Sequence, residues 1–149
     1  MGEKWSKVMK QNTNKLVICG RGNDEKTINE IRELDAVLWL LGTDKRQGAD
    51  KYFELHDIPC SHPDAVRELP EEVYTQGVPI NNSICALLIY AWQTGYTDII
   101  VKGCPMISKP EYLEQRPALA YVVGFLNGKG IKVKWTDEPQ NINYGRKDK

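Results

Sequence analysis

Residues 81–103 read NNSICALLIYAWQTGYTDIIVKG, the clearest local signal in the chain. Asn81, Asn82 and Ser83 each carry a side-chain oxygen able to accept an N–H from the first turn of a helix, so a helix is predicted to open here. Ile84, Leu87, Leu88 and Ala91 recur at helical spacing and form a wide apolar stripe. Gly95 stands where the helix must stop, and DIIVKG then supplies a strand. Cap, helix, glycine stop and strand together are half of a crossover unit, the connection that parallel strands require.

The same alternation extends in both directions. Upstream, LVICG (16–20) reads as a buried strand, followed by a polar segment that Asn23 or Asp24 can cap and a helical pattern with Ile28, Ile31 and Leu34 on one face. AVLWLLG (36–42) is too continuously apolar for a half-exposed edge, which predicts a strand covered on both faces. After the polar loop TDKRQGAD, the segment KYFELHDIP is predicted to form a short third strand ending near His56. Residues 59–79 are rich in Pro, Glu and Asp and predict an excursion over the sheet with at most a turn or two of helix. Downstream, a helical stretch over 110–127 contains Pro117, which either kinks one helix or opens a second as its first residue. GKGIKVKW (128–135) closes the pattern with a turn and a last strand. Strands alternating with helices predict an α/β, three-layer Rossmann-like fold, a mostly parallel sheet of about five strands with helices on both faces. The expected organisation is a polar lead-in over 1–14, one domain over 15–136 and a polar tail over 137–149.

A length of 149 residues suits one domain, able to bury roughly 68–70% of its unfolded surface. Hydrophobic residues at 41% and charged residues at 27% argue against wholesale disorder. Twenty basic residues balance twenty acidic ones, so no general attraction to extended nucleic acid or to an anionic membrane is expected. No apolar run approaches the roughly 20 residues of a bilayer-spanning helix, and the first residues lack the apolar centre of a signal peptide. A cytoplasmic protein is expected. Cys19, Cys60, Cys85 and Cys104 are widely separated, without CxxC spacing, which points to core thiols and predicts no metal site.

In open parallel sheets, ligands lie beyond the carboxyl ends of the strands. That rule selects Gly20, Arg21, Gly22 and Asn23 after the first strand, Gly42 and Thr43 after the second, and Asn81, Asn82 and Ser83 before the long helix. It also selects Gly103 to Met106 after the fourth strand. Two glycines in the GRGN loop permit close backbone approach to a phosphate, or form a plain tight turn. In the NNS segment one residue suffices as a cap, which leaves the others for a phosphate or nucleobase. Glu54 and His56, two residues apart on one predicted strand face, could form an acid/base pair. Arg116 is either a phosphate ligand or an ion-pair partner of Glu111 or of the sheet. Trp39, Tyr52 and Phe53, near strand ends, could stack on a base or belong to the core.

Two resemblances bear on these residues. NNSICALLIYAWQTGYTDIIVKGCPM and LVICGRGN resemble the nucleotide-binding segments of bacterial sialyltransferases. That likeness implies that Gly20, Gly22 and Asn23 border a nucleotide and that Asn82 and Ser83 border its phosphates. The chain departs from that family where its first loop lacks a Gly-Pro-Ser continuation, NNS replaces Thr-Ser-Gly and CPM replaces an acidic Gly-x-Asp ending. KYFELHDIP and EYLEQRPALAYVVGFLNGKGIKV look like motifs of a family of small Rossmann-like proteins encoded by tailed phages, a likeness spanning about Leu16 to Val133.

The resulting expectation is a nucleotide-binding protein that holds a nucleotide, cyclic nucleotide or ADP-ribose-like ligand between the GRGN and NNS loops, without turnover. In the phage setting the second resemblance implies, it would sequester a host immune signal in the host cytoplasm. An enzyme using Glu54 or His56 on a nucleotide or nucleotide sugar is the first alternative. A virion or interaction module without a small ligand is the second. No further cofactor is expected, and homo-oligomers are compatible with this reading.

Overall fold

A computed structural model describes residues 13–20, 35–42, 48–56, 62–102 and 110–135, with backbone alone over 110–114. Five strands form one sheet: β1 (Lys15–Cys19), β2 (Val37–Leu41), β3 (Lys51–Phe53), β4 (Asp98–Lys102) and β5 (Lys132–Trp135). Their order is β3-β2-β1-β4-β5, and every pairing is parallel. Two α-helices are described, α1 (Ser83–Gln93) and α2 (Pro110–Gly128), with a 3-10 helix over Glu71–Thr75. This is the Rossmann-like α/β architecture that the alternation predicts. Neither helix is long and apolar enough to cross a membrane.

Each strand alternates its side chains between two faces. Leu16, Ile18, Val37, Trp39, Phe53, Ile99 and Val101 point to the first face, where they meet the buried residues of α1 and α2. Val17, Cys19, Leu38 and Leu40 point to the second face and are equally sealed from solvent. Both described helices lie on the first face. The predicted helix containing Ile28, Ile31 and Leu34 lies outside the described residues.

The two helices stop by the same device. After α1, Tyr96 N–H donates to Ala91 O at 3.1 Å and Gly95 N–H to Trp92 O at 3.1 Å, with Gly95 at φ +109°. After α2, Ile131 N–H donates to Leu126 O and Gly130 N–H to Asn127 O, both at 3.0 Å, with Gly130 at φ +85°. These are Schellman closures, in which glycine adopts a left-handed backbone that other residues resist. Each stop turns the chain directly into the next strand. Pro117 lies inside α2 as one continuous element, so a second helix does not begin there.

Burial on α1 extends beyond the predicted stripe, because Cys85, Ala86 and Ile89 are buried too. Both α2 and the 3-10 segment pack against this helix. Val73 and Leu69 join the same core, and Gln93 Nε2 donates to Glu72 O at 3.0 Å.

The third strand is shorter than predicted. It ends at Phe53 because the Glu54 carboxylate folds back to accept His56 N–H at 2.9 Å, which turns the chain out of the sheet. Val66 then occupies the free edge of β3, donating to Tyr52 O at 2.7 Å and accepting from Glu54 N–H at 3.0 Å.

Candidate functional site

Strand order reverses between β1 and β4. β2 and β3 lie to one side of β1, while β4 and β5 lie to the other. Connections leaving the carboxyl ends of β1 and β4 therefore diverge, and the crevice between them is the usual ligand position in such sheets. Gly20 sits at this reversal, buried, its N–H donating to Lys102 O at 2.8 Å. Gly42 ends β2 at φ +131° and donates its N–H to Phe53 O at 3.0 Å. Both glycines thus extend the sheet ladder by one more bond. Arg21, Gly22, Asn23, Thr43, Gly103 and Met106 lie outside the described residues.

The amino end of α1 belongs to the same edge. Thr97 and Asp98 N–H groups donate to Asn14 O, which places the chain just after α1 at the amino edge of the sheet. A helix of 11 residues is about 16 Å long, close to the length of a five-residue strand. Running back from that edge, α1 begins beside the carboxyl ends. The same reasoning puts the first half of α2, including half-buried Arg116, toward the carboxyl edge, since Lys132 N–H, just after α2, donates to Thr97 O.

At the start of α1 the three predicted residues divide their work. Asn82 is the cap, its Oδ1 accepting Cys85 N–H at 3.0 Å, while its Nδ2 donates to Asn81 Oδ1 at 2.8 Å and to Cys85 Sγ at 3.3 Å. Its amide is therefore committed to the helix. Asn81 is exposed and Ser83 half-buried, so these two border the open side of the edge.

Cys85, in the first turn of α1, is buried and free. Burial pushes its thiol from the ordinary 9.0 up to about 11, against the smaller opposing effects of the Asn82 side chain and the Asn81 backbone. A protonated thiol is a poor nucleophile. Burial also raises the Tyr96 phenol, helped by the charge of Asp50 and by Tyr90. Because the folded thiol holds its proton more tightly than an unfolded one, its contribution to stability is full below pH 9 and is lost as pH rises from about 9 to about 11. Chemical denaturation across that range should show a decline that Cys85→Ala flattens. An unchanged slope in the variant would reject this source.

Glu54 and His56 do not form the predicted pair. Glu54 is 1% exposed and its carboxylate holds the backbone of His56, whereas the His56 side chain is exposed. The two-residue strand spacing does not apply to them, because β3 ends before either. His56 O in turn accepts from Arg67 Nη2 at 2.9 Å. Trp39 and Phe53 are core residues, at 2% and 0% exposure, with ring centroids 4.8 Å apart. Tyr52 already stacks on His62 at 3.8 Å, and its hydroxyl accepts from Gly48 N–H at 3.0 Å. None of the three offers a free stacking surface.

One residue escaped the sequence reading. Lys102 is the last residue of β4, half-buried, and pairs with Cys19 directly before Gly20. Its position at the end of an apolar strand was the available signal. Among the described residues no three His, Cys, Asp or Glu side chains cluster to hold a metal.

Fold and edge together define a Rossmann-like α/β protein with its candidate site at the β1/β4 reversal. Comparison with protein-family models, curated proteins and solved structures finds no match to this chain.

Proposed function

We propose that the protein binds a nucleotide-class ligand at the carboxyl edge of its sheet and holds it without turnover. The observation that carries this reading is the reversal of strand order between β1 and β4, with Gly20 seated at it and the amino end of α1 on the same edge. A helix amino end favours negative charge. In the phage setting implied by the sequence resemblance, such a protein would withhold a host nucleotide signal.

Binding without turnover is favoured over the Glu54/His56 acid/base alternative because the Glu54 carboxylate has a structural role, accepting the His56 N–H. The test is a thermal-shift panel of mono-, di- and cyclic nucleotides and ADP-ribose. A ligand at 100 times its Kd stabilises the native state by about 2.7 kcal/mol. Ligand recovered intact after denaturation supports a binder, accumulating product supports an enzyme, and no shift with any member rejects the proposal.

Asn82 supplies a sharper test. Asn82→Ala removes the cap and should cost about 1 kcal/mol of stability. Asn82→Asp keeps a capping oxygen but adds negative charge where the ligand's phosphates would lie. Titration calorimetry with the nucleotide from the panel should show roughly tenfold or weaker binding to Asn82→Asp at near-native stability. Equal affinity would move the site away from α1.

A further inference from the structure

The second face of the sheet is finished on one side only. Over β1 and β2 it is sealed, with Val17, Cys19 and Leu38 fully buried and Leu40 at 3% exposure. Ala36, Ala49 and Tyr52 pack into this layer. Over β4 and β5 the described residues are less buried. Ile100 is half-buried, and Lys132 and Lys134 are exposed.

Register fixes which residues share this open area. Ile99 and Val101 of β4, with Val133 and Trp135 of β5, belong to the first-face core, so Asp98, Ile100, Lys102, Lys132 and Lys134 take the second face. Cα pairing sets Lys15 beside Asp98 and Asp98 beside Lys132, with Ile100 beside Lys134. The area is thus an apolar residue framed by lysines, with Asp98 the one acid among them. The described helices do not complete it, since α1 and α2, which lead into β4 and β5, both pack on the first face.

We propose that this half-face docks an acidic amphipathic helix of a partner protein. Two neighbouring strands are about 10 Å wide with their flanks, close to the roughly 10–12 Å diameter of one helix. Lys132 and Lys134 are about 6.6 Å apart along the strand, near the roughly 5.4 Å between successive helical turns, so carboxylates one turn apart meet both. Ile100 takes an apolar side chain between them. A nucleic-acid backbone fits less well, because Asp98 opposes phosphate and no aromatic ring of β4 or β5 faces this side to stack on a base. The terminal stretches of this chain are poor occupants, because residues 1–12 carry three lysines against one glutamate and residues 136–149 balance three bases with three acids.

The experiment is an NMR titration of isotope-labelled full-length protein with a synthetic four-turn peptide bearing a leucine stripe flanked by glutamates. Amide shifts should concentrate in residues 98–102 and 132–135, and added salt should weaken binding. The double substitution Lys132→Glu with Lys134→Glu should lower affinity at least about tenfold, because two attractions become repulsions. Its melting curve should stay near that of the parent, both lysines being exposed; the glutamine pair serves if it does not. A matching peptide with lysine for glutamate should not bind. Shifts confined to α1 and α2, unchanged affinity in the variant, no binding at millimolar peptide, or tighter binding of a thymidine oligonucleotide would each overturn the proposal.

Discussion

Trp39→Ala should cost about 3–5 kcal/mol, the range for deleting a large aromatic from a close-packed core. Trp39 lies at the centre of β2 and is 2% exposed. Its ring meets Phe53 at 4.8 Å, Tyr90 at 5.6 Å and, edge-on, Tyr96 at 5.6 Å. One side chain therefore joins β2 to β3, to α1 and to the turn that follows α1. Such aromatic pairs contribute roughly 0.5–1.5 kcal/mol beyond the area they bury, and a cavity among rigid rings cannot collapse easily. A domain of ordinary stability, about 5–15 kcal/mol, would lose a large share. Calorimetry should show the melting temperature down by about 10 °C or more. Trp39→Phe should lose less, since it keeps an aromatic face toward Phe53. A loss below about 1 kcal/mol for the alanine variant would mean that the rings do not form a common core.

The same residue shows where sequence reading reaches its limit. Read from the sequence, Trp39 and Phe53 are expected near strand ends, compatible with either core or ligand contact; Phe53 does end β3, but Trp39 is central in β2, and α1 packed over both makes them core. The 81–103 stretch was legible because its signals are local: a capping side chain, an apolar stripe, and a glycine at φ +109° all lie within one crossover. Strand order was not legible, because parallel pairing depends on contacts between segments far apart in sequence. Ile18, for example, pairs with Trp39 on one side and Val101 on the other. The end of β3 was missed for a different reason. KYFELH alternates well enough to continue as a strand, but a side chain competing for the backbone ended it. Of the glycines singled out in the sequence, Gly20 and Gly42 lie at the carboxyl edge of the sheet. What the sequence could not reveal is that Gly20 and Gly42 spend their N–H groups on the sheet and Asn82 its amide on the helix.

That competition at the end of β3 defines the second large effect. Glu54→Leu should destabilise the protein by about 1–3 kcal/mol, because it strands the His56 N–H without its acceptor. It should also loosen the link from His56 O to Arg67 and the Val66 pairing at the sheet edge, since both depend on where the chain turns. Hydrogen exchange should therefore quicken at the amides of His56 and Val66 before it does in β1 or β4. Glu54→Gln is the decisive companion, because it keeps an acceptor oxygen of the same length and removes only the charge. If the carboxylate serves to hold the turn, the glutamine variant should stay within about 1 kcal/mol of the parent and bind nucleotides unchanged. If the protein is instead an acid/base enzyme, the glutamine variant should fold normally and lose turnover. Both outcomes are read from one pair of variants, because a stability loss in Glu54→Leu that Glu54→Gln escapes assigns Glu54 to the turn, whereas a loss of product in a stably folded Glu54→Gln assigns it to chemistry.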